Sequence, residues 1–226
     1  MSPSRLSIGK ERRVNQRVAI VTGAAAGIGA ACARALASAG IAVGVLDLDE
    51  ARCAETVASI ASVGGMAVAL GADISHRPTV KAAVERCRAA LGPVTIVVNN
   101  AGVTDFTPFD QVTEDLWSQV YRVNVLGTII VTQEVLPDMK AAGWGRIVNI
   151  SSSGAQTGAV NMATYSSSKG AIVTLTRSLA QELGPYGITV NNIPPGSVMN
   201  MYSVVRAGLD RTYVPSSKSE SDMSML

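Results

Sequence analysis

Short apolar runs alternate along the chain with longer stretches in which apolar residues recur every three or four positions. The runs are Val18–Val21, Ile41–Leu46, Met66–Leu70, Val94–Val98, Arg146–Ile150 and Ile188–Ile193. They are rich in Val and Ile and show little alternation with polar residues, as in strands covered on both faces. The longer stretches predict helices over Ile28–Ala39, Glu50–Val63, Arg77–Leu91, Thr113 to about Ala141, and Tyr165–Leu183. Gly40, Gly64-Gly65, Gly92-Pro93 and Gly184-Pro185 supply stop signals for four of them. Pro137 lies inside the longest and predicts a kink there. Strands alternating with helices demand a parallel sheet with right-handed crossovers. The expectation is an α/β fold: a single doubly wound parallel sheet with helices on both faces.

In such sheets ligands bind beyond the carboxyl ends of the strands. The glycine and polar clusters fall there: Thr22–Gly29, Asp47, Asp73, Asn99–Gly102, Ser151–Ser153 and Pro195–Gly196. Gly23, Gly27 and Gly29 follow the first strand directly and open a helix through Ile28. Glycine lets the chain turn sharply and lets backbone N–H groups approach a diphosphate, and the helix start adds its positive end. This is the Rossmann-like form of the fold.

Asp47 ends the second strand, where a carboxylate can accept hydrogen bonds from adenosine ribose hydroxyls and repel a 2′-phosphate. No Arg or Lys stands among Ala24, Ala25 and Ala26, so NAD is expected over NADP. The competing role for Asp47 or Asp49 is to cap the next helix. Tyr165 and Lys169 are four apart and share a helix face. A lysine cation beside a tyrosine favours the phenolate, which suits proton transfer. Ser151, Ser152 and Ser153 can offer a hydroxyl to a substrate carbonyl, or serve only as turn residues.

Composition narrows the function classes. Apolar residues make up 47% of the 226 and charged residues 16%, which suits a packed globular domain and excludes a disordered chain. The net charge of +2 gives no argument for nucleic acid. Much of the basic excess lies in residues 1–17 (Arg5, Lys10, Arg12, Arg13, Arg17), which read as a flexible, solvated arm. No apolar run reaches a membrane span and the start lacks a signal-peptide core, so a cytoplasmic protein is expected. Cys32, Cys53 and Cys87 are widely spaced and the one histidine is His76, so neither a zinc site nor a disulfide framework is expected.

Together these segments resemble the short-chain dehydrogenase/reductase family, 3-oxoacyl-(acyl-carrier-protein) reductase-like members among them. The resemblance runs from about Val18 to Gly196. Thr22-Gly-Ala-Ala-Ala-Gly-Ile-Gly29 is similar to the family's TGxxxGxG turn, Asn99-Asn-Ala-Gly102 to its NNAG segment, and Tyr165-Ser-Ser-Ser-Lys169 to its YxxxK pair. Ser152 has the family's spacing to Tyr165. Asn124 matches the fourth catalytic position, and Pro195-Gly196 the pair beside the nicotinamide. The resemblance implies an NAD(P)-dependent oxidoreductase acting on CH–OH groups, with NAD preferred. Its catalytic residues would be Asn124, Ser152, Tyr165 and Lys169. Its cofactor would lie against Gly23, Gly27, Ile28, Gly29, Asp47, Asp73, Ile74, Asn100, Ala101, Gly102, Tyr165, Lys169, Pro195 and Gly196. The substrate would be a secondary alcohol or ketone, including 3-hydroxyacyl or 3-oxoacyl compounds. Tyr165 would exchange a proton with the substrate oxygen, Ser152 orient it, Lys169 hold the nicotinamide ribose, and Asn124 position a water in a relay to Lys169.

The end of the chain departs from that pattern. Residues 18–198 read as a Rossmann-like NAD-binding catalytic domain, while residues 199–226 read as a shortened lid remnant and a disordered tail. Asn200 stands where relatives carry a threonine. The expected assembly is a homodimer or homotetramer through helices 113–141 and 165–183. The alternative to an active enzyme is a catalytically impaired member that binds the cofactor or a protein partner. The loops Val103–Phe109 and Gly154–Met162, expected to face substrate, carry Asp105 as their only charge.

Overall fold

The computed structural model describes residues 17–196. The remainder of the basic arm, Asn200 and the predicted lid and tail lie outside the described residues. Six strands form one sheet: β1 (Val18–Thr22), β2 (Ala42–Asp47), β3 (Ala67–Gly71), β4 (Ile96–Asn99), β5 (Gly145–Ile150) and β6 (Ile188–Ile193). Their order is β3-β2-β1-β4-β5-β6 and every pairing is parallel. The chain builds outward from β1 to β3, then returns and builds the other half from β4. The order therefore reverses between β1 and β4, which opens a crevice at their carboxyl ends.

The helices are α1 (Gly27–Ser38), α2 (Ala54–Ser62), α3 (Arg77–Leu91), α4 (Glu114–Tyr121), α5 (Thr128–Ala142), α6 (Gly154–Thr157) and α7 (Ala163–Leu183). Successive strand residues face opposite sides of the sheet. Val18, Ile20, Ala42 and Leu46 enter one core with Val80 and Val84 of α3, Val131 and Val135 of α5, and Leu183 of α7. Val21, Val43 and Val45 enter the other with Ala33 and Ala37 of α1 and Ile60 of α2. Two covered faces explain the unbroken apolar runs.

Three local predictions need adjustment. The helix expected from Glu50 begins as a 3-10 turn, Glu50–Cys53, capped by Asp49, whose carboxylate accepts from Ala51 N at 3.0 Å. The long helix is interrupted at Arg122–Gly127, a stretch of π-helix, while α5 continues through Pro137. The segment Gly154–Met162, expected as a loop, begins with the short helix α6. Cys53 and Cys87 are core residues, and burial pushes the Cys87 thiol up to about 12, which makes it inert.

Candidate active site

The glycine turn is locked to the end of β4. Thr22 Oγ1 accepts the backbone N–H groups of Asn100 and Ala101, both at 3.0 Å. Asn100 Nδ2 donates back to Thr22 O at 2.9 Å and to Gly23 O at 3.1 Å. Gly23 has φ +63°, and a Cβ on Gly29 would collide with Gly23 O and lie 2.5 Å from Asn100 Nδ2. Glycine is needed here because the turn folds back on the helix start. Thr56 Oγ1, buried on α2, braces the turn through Ala24 O at 3.0 Å.

The start of α1 has no side-chain cap and no acidic residue in its first turn. The N–H groups of Gly27, Ile28 and Gly29 have no acceptor among the described residues. A helix start with free donors fits a diphosphate. Asp47 lies beside it: its Oδ2 accepts from Ala25 N at 3.1 Å and its Oδ1 from Leu48 N at 2.9 Å. Asp49 does the capping, so Asp47 remains at the turn. Arg52 Nη1 also reaches Asp47 Oδ1 at 3.0 Å. Asp73 Oδ1 accepts from Ser75 N and Oγ, leaving Oδ2 without a partner among the described residues. Ile74 is buried against Gly127, where a Cβ would sit 2.7 Å from its Cδ1.

Asn124 sits in the π-helical turn and is 1% exposed. Its Nδ2 donates to Val103 O at 2.9 Å and to Ser168 Oγ at 3.0 Å, while its Oδ1 accepts from Val103 N at 2.8 Å. Ser168 Oγ in turn donates to Tyr165 O at 2.7 Å. One amide therefore ties the loop after β4 to the helix that carries Tyr165 and Lys169. π-helical turns recur at functional sites.

Lys169 Nζ donates to Ile150 O, the last residue of β5, at 2.9 Å. Lys169 is 5% exposed and pairs with no carboxylate among the described residues. Desolvation lowers its pKa from 10.5 to about 8. Its Nζ lies 5.8 Å from the centre of the half-buried Tyr165 ring. A Cβ on Gly102 would be 3.0 Å from Asn124 Oδ1 and 3.2 Å from Lys169 Nζ, so both polar atoms border Gly102. Ser151 is 2% exposed, whereas Ser152 is half-buried and its Oγ accepts from Gly154 N at 3.1 Å. Pro195 O accepts from Ser153 N at 2.9 Å, which brings the Pro-Gly pair to the serine loop.

The predicted residues thus gather at the carboxyl edge of the sheet. Four contributors escaped the sequence reading. Thr22 and Thr56 support the glycine turn, Ser168 joins Asn124 to α7, and Arg52 meets Asp47. Only Thr22 and Ser168 stand inside recognised motifs; the other two approach through the 3-10 turn and α2.

A doubly wound sheet with an uncapped glycine-rich helix start and an adjoining Tyr–Lys pair defines a nicotinamide-dependent oxidoreductase of alcohols and ketones. The chain belongs to the short-chain dehydrogenase family, whose model matches residues 17–205. It is similar to the short-chain reductase protein NovJ of Streptomyces niveus, 42% identical over 183 residues, covering 81% of this chain and 70% of that protein. It is also similar to 7alpha-hydroxysteroid dehydrogenase of Escherichia coli, 37% identical over 187 residues, covering 83% of this chain and 73% of that one. Among solved structures, a gluconate 5-dehydrogenase from Burkholderia cenocepacia in complex with NADP and tartrate superposes with a TM-score of 0.80. That pair is 34% identical and covers 88% of this chain and 78% of the other. No helix among the described residues is long and apolar enough to cross a membrane.

Proposed function

We propose that the protein transfers a hydride between NAD(H) and a neutral secondary alcohol or ketone, with Tyr165 as the general acid/base. The observation that carries this reading is Lys169: a buried ammonium with no carboxylate partner among the described residues, next to the Tyr165 ring. Burying an unpaired cation is costly, so its position calls for a functional reason. The nicotinamide supplies or accepts the hydride. In reduction, the Tyr165 hydroxyl gives its proton to the substrate oxygen; in oxidation, its phenolate takes the proton back. The Lys169 cation favours the phenolate and can donate to the nicotinamide ribose. Ser152 Oγ orients the substrate oxygen. A water bordering Gly102, between Asn124 Oδ1 and Lys169 Nζ, would link the proton path to solvent.

Asp47 supports NAD over NADP, because its carboxylate would repel a 2′-phosphate. Arg52 favours the second reading, tolerance of NADP, since an exposed guanidinium stands beside that carboxylate. We also infer a homodimer or homotetramer through α4–α5 and α7. The supporting feature is a hollow lined by Trp117, Tyr121, Val125, Leu126 and Ile129, with Trp117 and Leu126 exposed. Titrating NADH and NADPH fluorescence and measuring turnover on alcohols, ketones and a 3-oxoacyl thioester tests the activity. Turnover with NADH preferred supports it; cofactor binding with no turnover supports the non-catalytic alternative.

A further inference from the structure

The loop that leaves β4 inverts the usual placement of polar and apolar residues. Asp105 is 7% exposed, whereas Phe106 and Phe109 are 65% and 79% exposed. Charged side chains are seldom buried unless paired, and large aromatics seldom stand in solvent. Among the described residues Asp105 is not paired: neither Oδ1 nor Oδ2 has a hydrogen-bond partner there. It is the only ionisable side chain among the described residues whose buried oxygens lack any partner. In either protonation state, such a group forfeits the hydrogen bonds that water would give it.

The loop is not free to drift. Both polar backbone groups of Val103 are held by Asn124, and Gly102 borders Lys169 Nζ. Two residues span at most about 7 Å, so Asp105 stays within that distance of the Val103 anchor. The loop also leaves the carboxyl end of a strand at the centre of the sheet, where ligands of this fold bind. A buried acceptor without a partner, on a chain segment that also exposes two aromatic residues, suits a ligand with an apolar body and a hydrogen-bond donor. On the second substrate-side loop, Val160 is 87% exposed, which adds apolar surface and no charge.

We propose that Asp105 is a substrate-recognition residue that accepts a hydrogen bond from a hydroxyl or ammonium group carried in addition to the reacting oxygen. Phe106 and Phe109 cover the apolar part of the same substrate. The inference rests on the oxidoreductase reading and narrows its substrates to amphipathic alcohols and ketones with a second donor. A substrate with a carboxylate at that place gains nothing, because it brings no hydrogen-bond donor to Asp105. A site built to bond a substrate hydroxyl rejects the analogue that lacks it, since its own polar group is then left unpaired.

The test uses secondary octanols in which a second hydroxyl, an amine or a carboxylate is moved stepwise along the chain, with plain secondary octanol as reference. In the wild type, the best diol or amino alcohol should exceed the plain alcohol in kcat/KM by about tenfold, the upper end of what one hydrogen bond contributes. No carboxylate should gain. In Asp105→Asn and Asp105→Leu that advantage should collapse toward unity for the amine series. The melting temperature of Asp105→Leu should hold or rise, because its unpaired buried polar group has been removed. A wild type that shows no advantage for any second donor overturns the inference while leaving the activity standing. So does an unchanged ratio in both variants, or a lowered melting temperature with a changed oligomer size, which would make Asp105 a structural residue. If the wild type turns over nothing on the panel, the oxidoreductase reading itself falls, and this inference with it.

Discussion

Replacing Lys169 by methionine should leave a protein whose stability no longer tracks one specific proton. Burial lowers the Lys169 pKa from 10.5 to about 8 in the fold. At about 1.36 kcal/mol per unit, that displacement corresponds to about 3 kcal/mol. The sign follows from proton counting. Between about pH 8 and 10.5 the unfolded chain keeps a proton that the folded chain has shed, so wild-type stability rises with pH across that window. Near pH 7 both states are protonated and the full penalty of the buried cation is felt. Near pH 11 both are neutral and the penalty has gone. A methionine side chain cannot titrate, and groups remote from position 169 titrate alike in the two proteins. Urea unfolding of ligand-free wild type and Lys169→Met from about pH 7 to 10.5 should therefore show the stability gap moving by about 3 kcal/mol in favour of wild type. For a chain of this size, that is a relative melting shift of about 10 °C. Turnover of Lys169→Met should be lost at every pH. A gap constant within about 1 kcal/mol would refute the claim that Lys169 is a desolvated cation.

Three other substitutions probe separate parts of the site. Gly29→Ala places a methyl against Gly23 O and Asn100 Nδ2, so overpacking should cost about 1–3 kcal/mol and NADH titration should show binding lost; retained binding would contradict the turn as phosphate cradle. Ser168→Ala leaves one Asn124 amide proton without its acceptor, at about 1–3 kcal/mol, and kcat should fall more than KM rises; an unchanged kcat would show that the tie does not position α7. Asp47→Asn removes the charge beside Arg52, and the NADPH-to-NADH ratio of kcat/KM should rise about tenfold, equivalent to about 1.4 kcal/mol; an unchanged ratio would mean that Asp47 does not select the cofactor.

Much of this architecture is legible in the chain itself. The apolar runs carry their strands because both sheet faces are covered, and helix α3 spans the predicted Arg77–Leu91. The misreadings have local causes. The fourth apolar run begins at Val94, but the N–H of that residue donates to the Asp138 carboxylate at 2.8 Å, and the strand proper starts at Ile96. Pro137 carries a strong kink signal, yet the break comes at Arg122–Gly127, where Asn124 must reach Val103 and Gly127 must admit Ile74. Both partners are distant in sequence, so periodicity could not reveal them. Asp47 and the alanines of the glycine turn argue for NAD from local spacing alone. Arg52 adds the opposing charge only after the 3-10 turn swings it onto Asp47. Asp105 is visible in the sequence as the one charge on the substrate-side loops. Its burial without a partner is not, because burial depends on contacts distant in sequence.

The central claim is that Tyr165 moves the proton while the rest of the edge holds the dinucleotide. Tyr165→Phe removes one oxygen and nothing else, so steady-state turnover and NADH titration on that variant test it most directly. The account predicts that kcat falls by at least about a hundredfold, as expected for loss of a general acid/base, with NADH affinity near that of wild type. Turnover kept within about tenfold of wild type would contradict it.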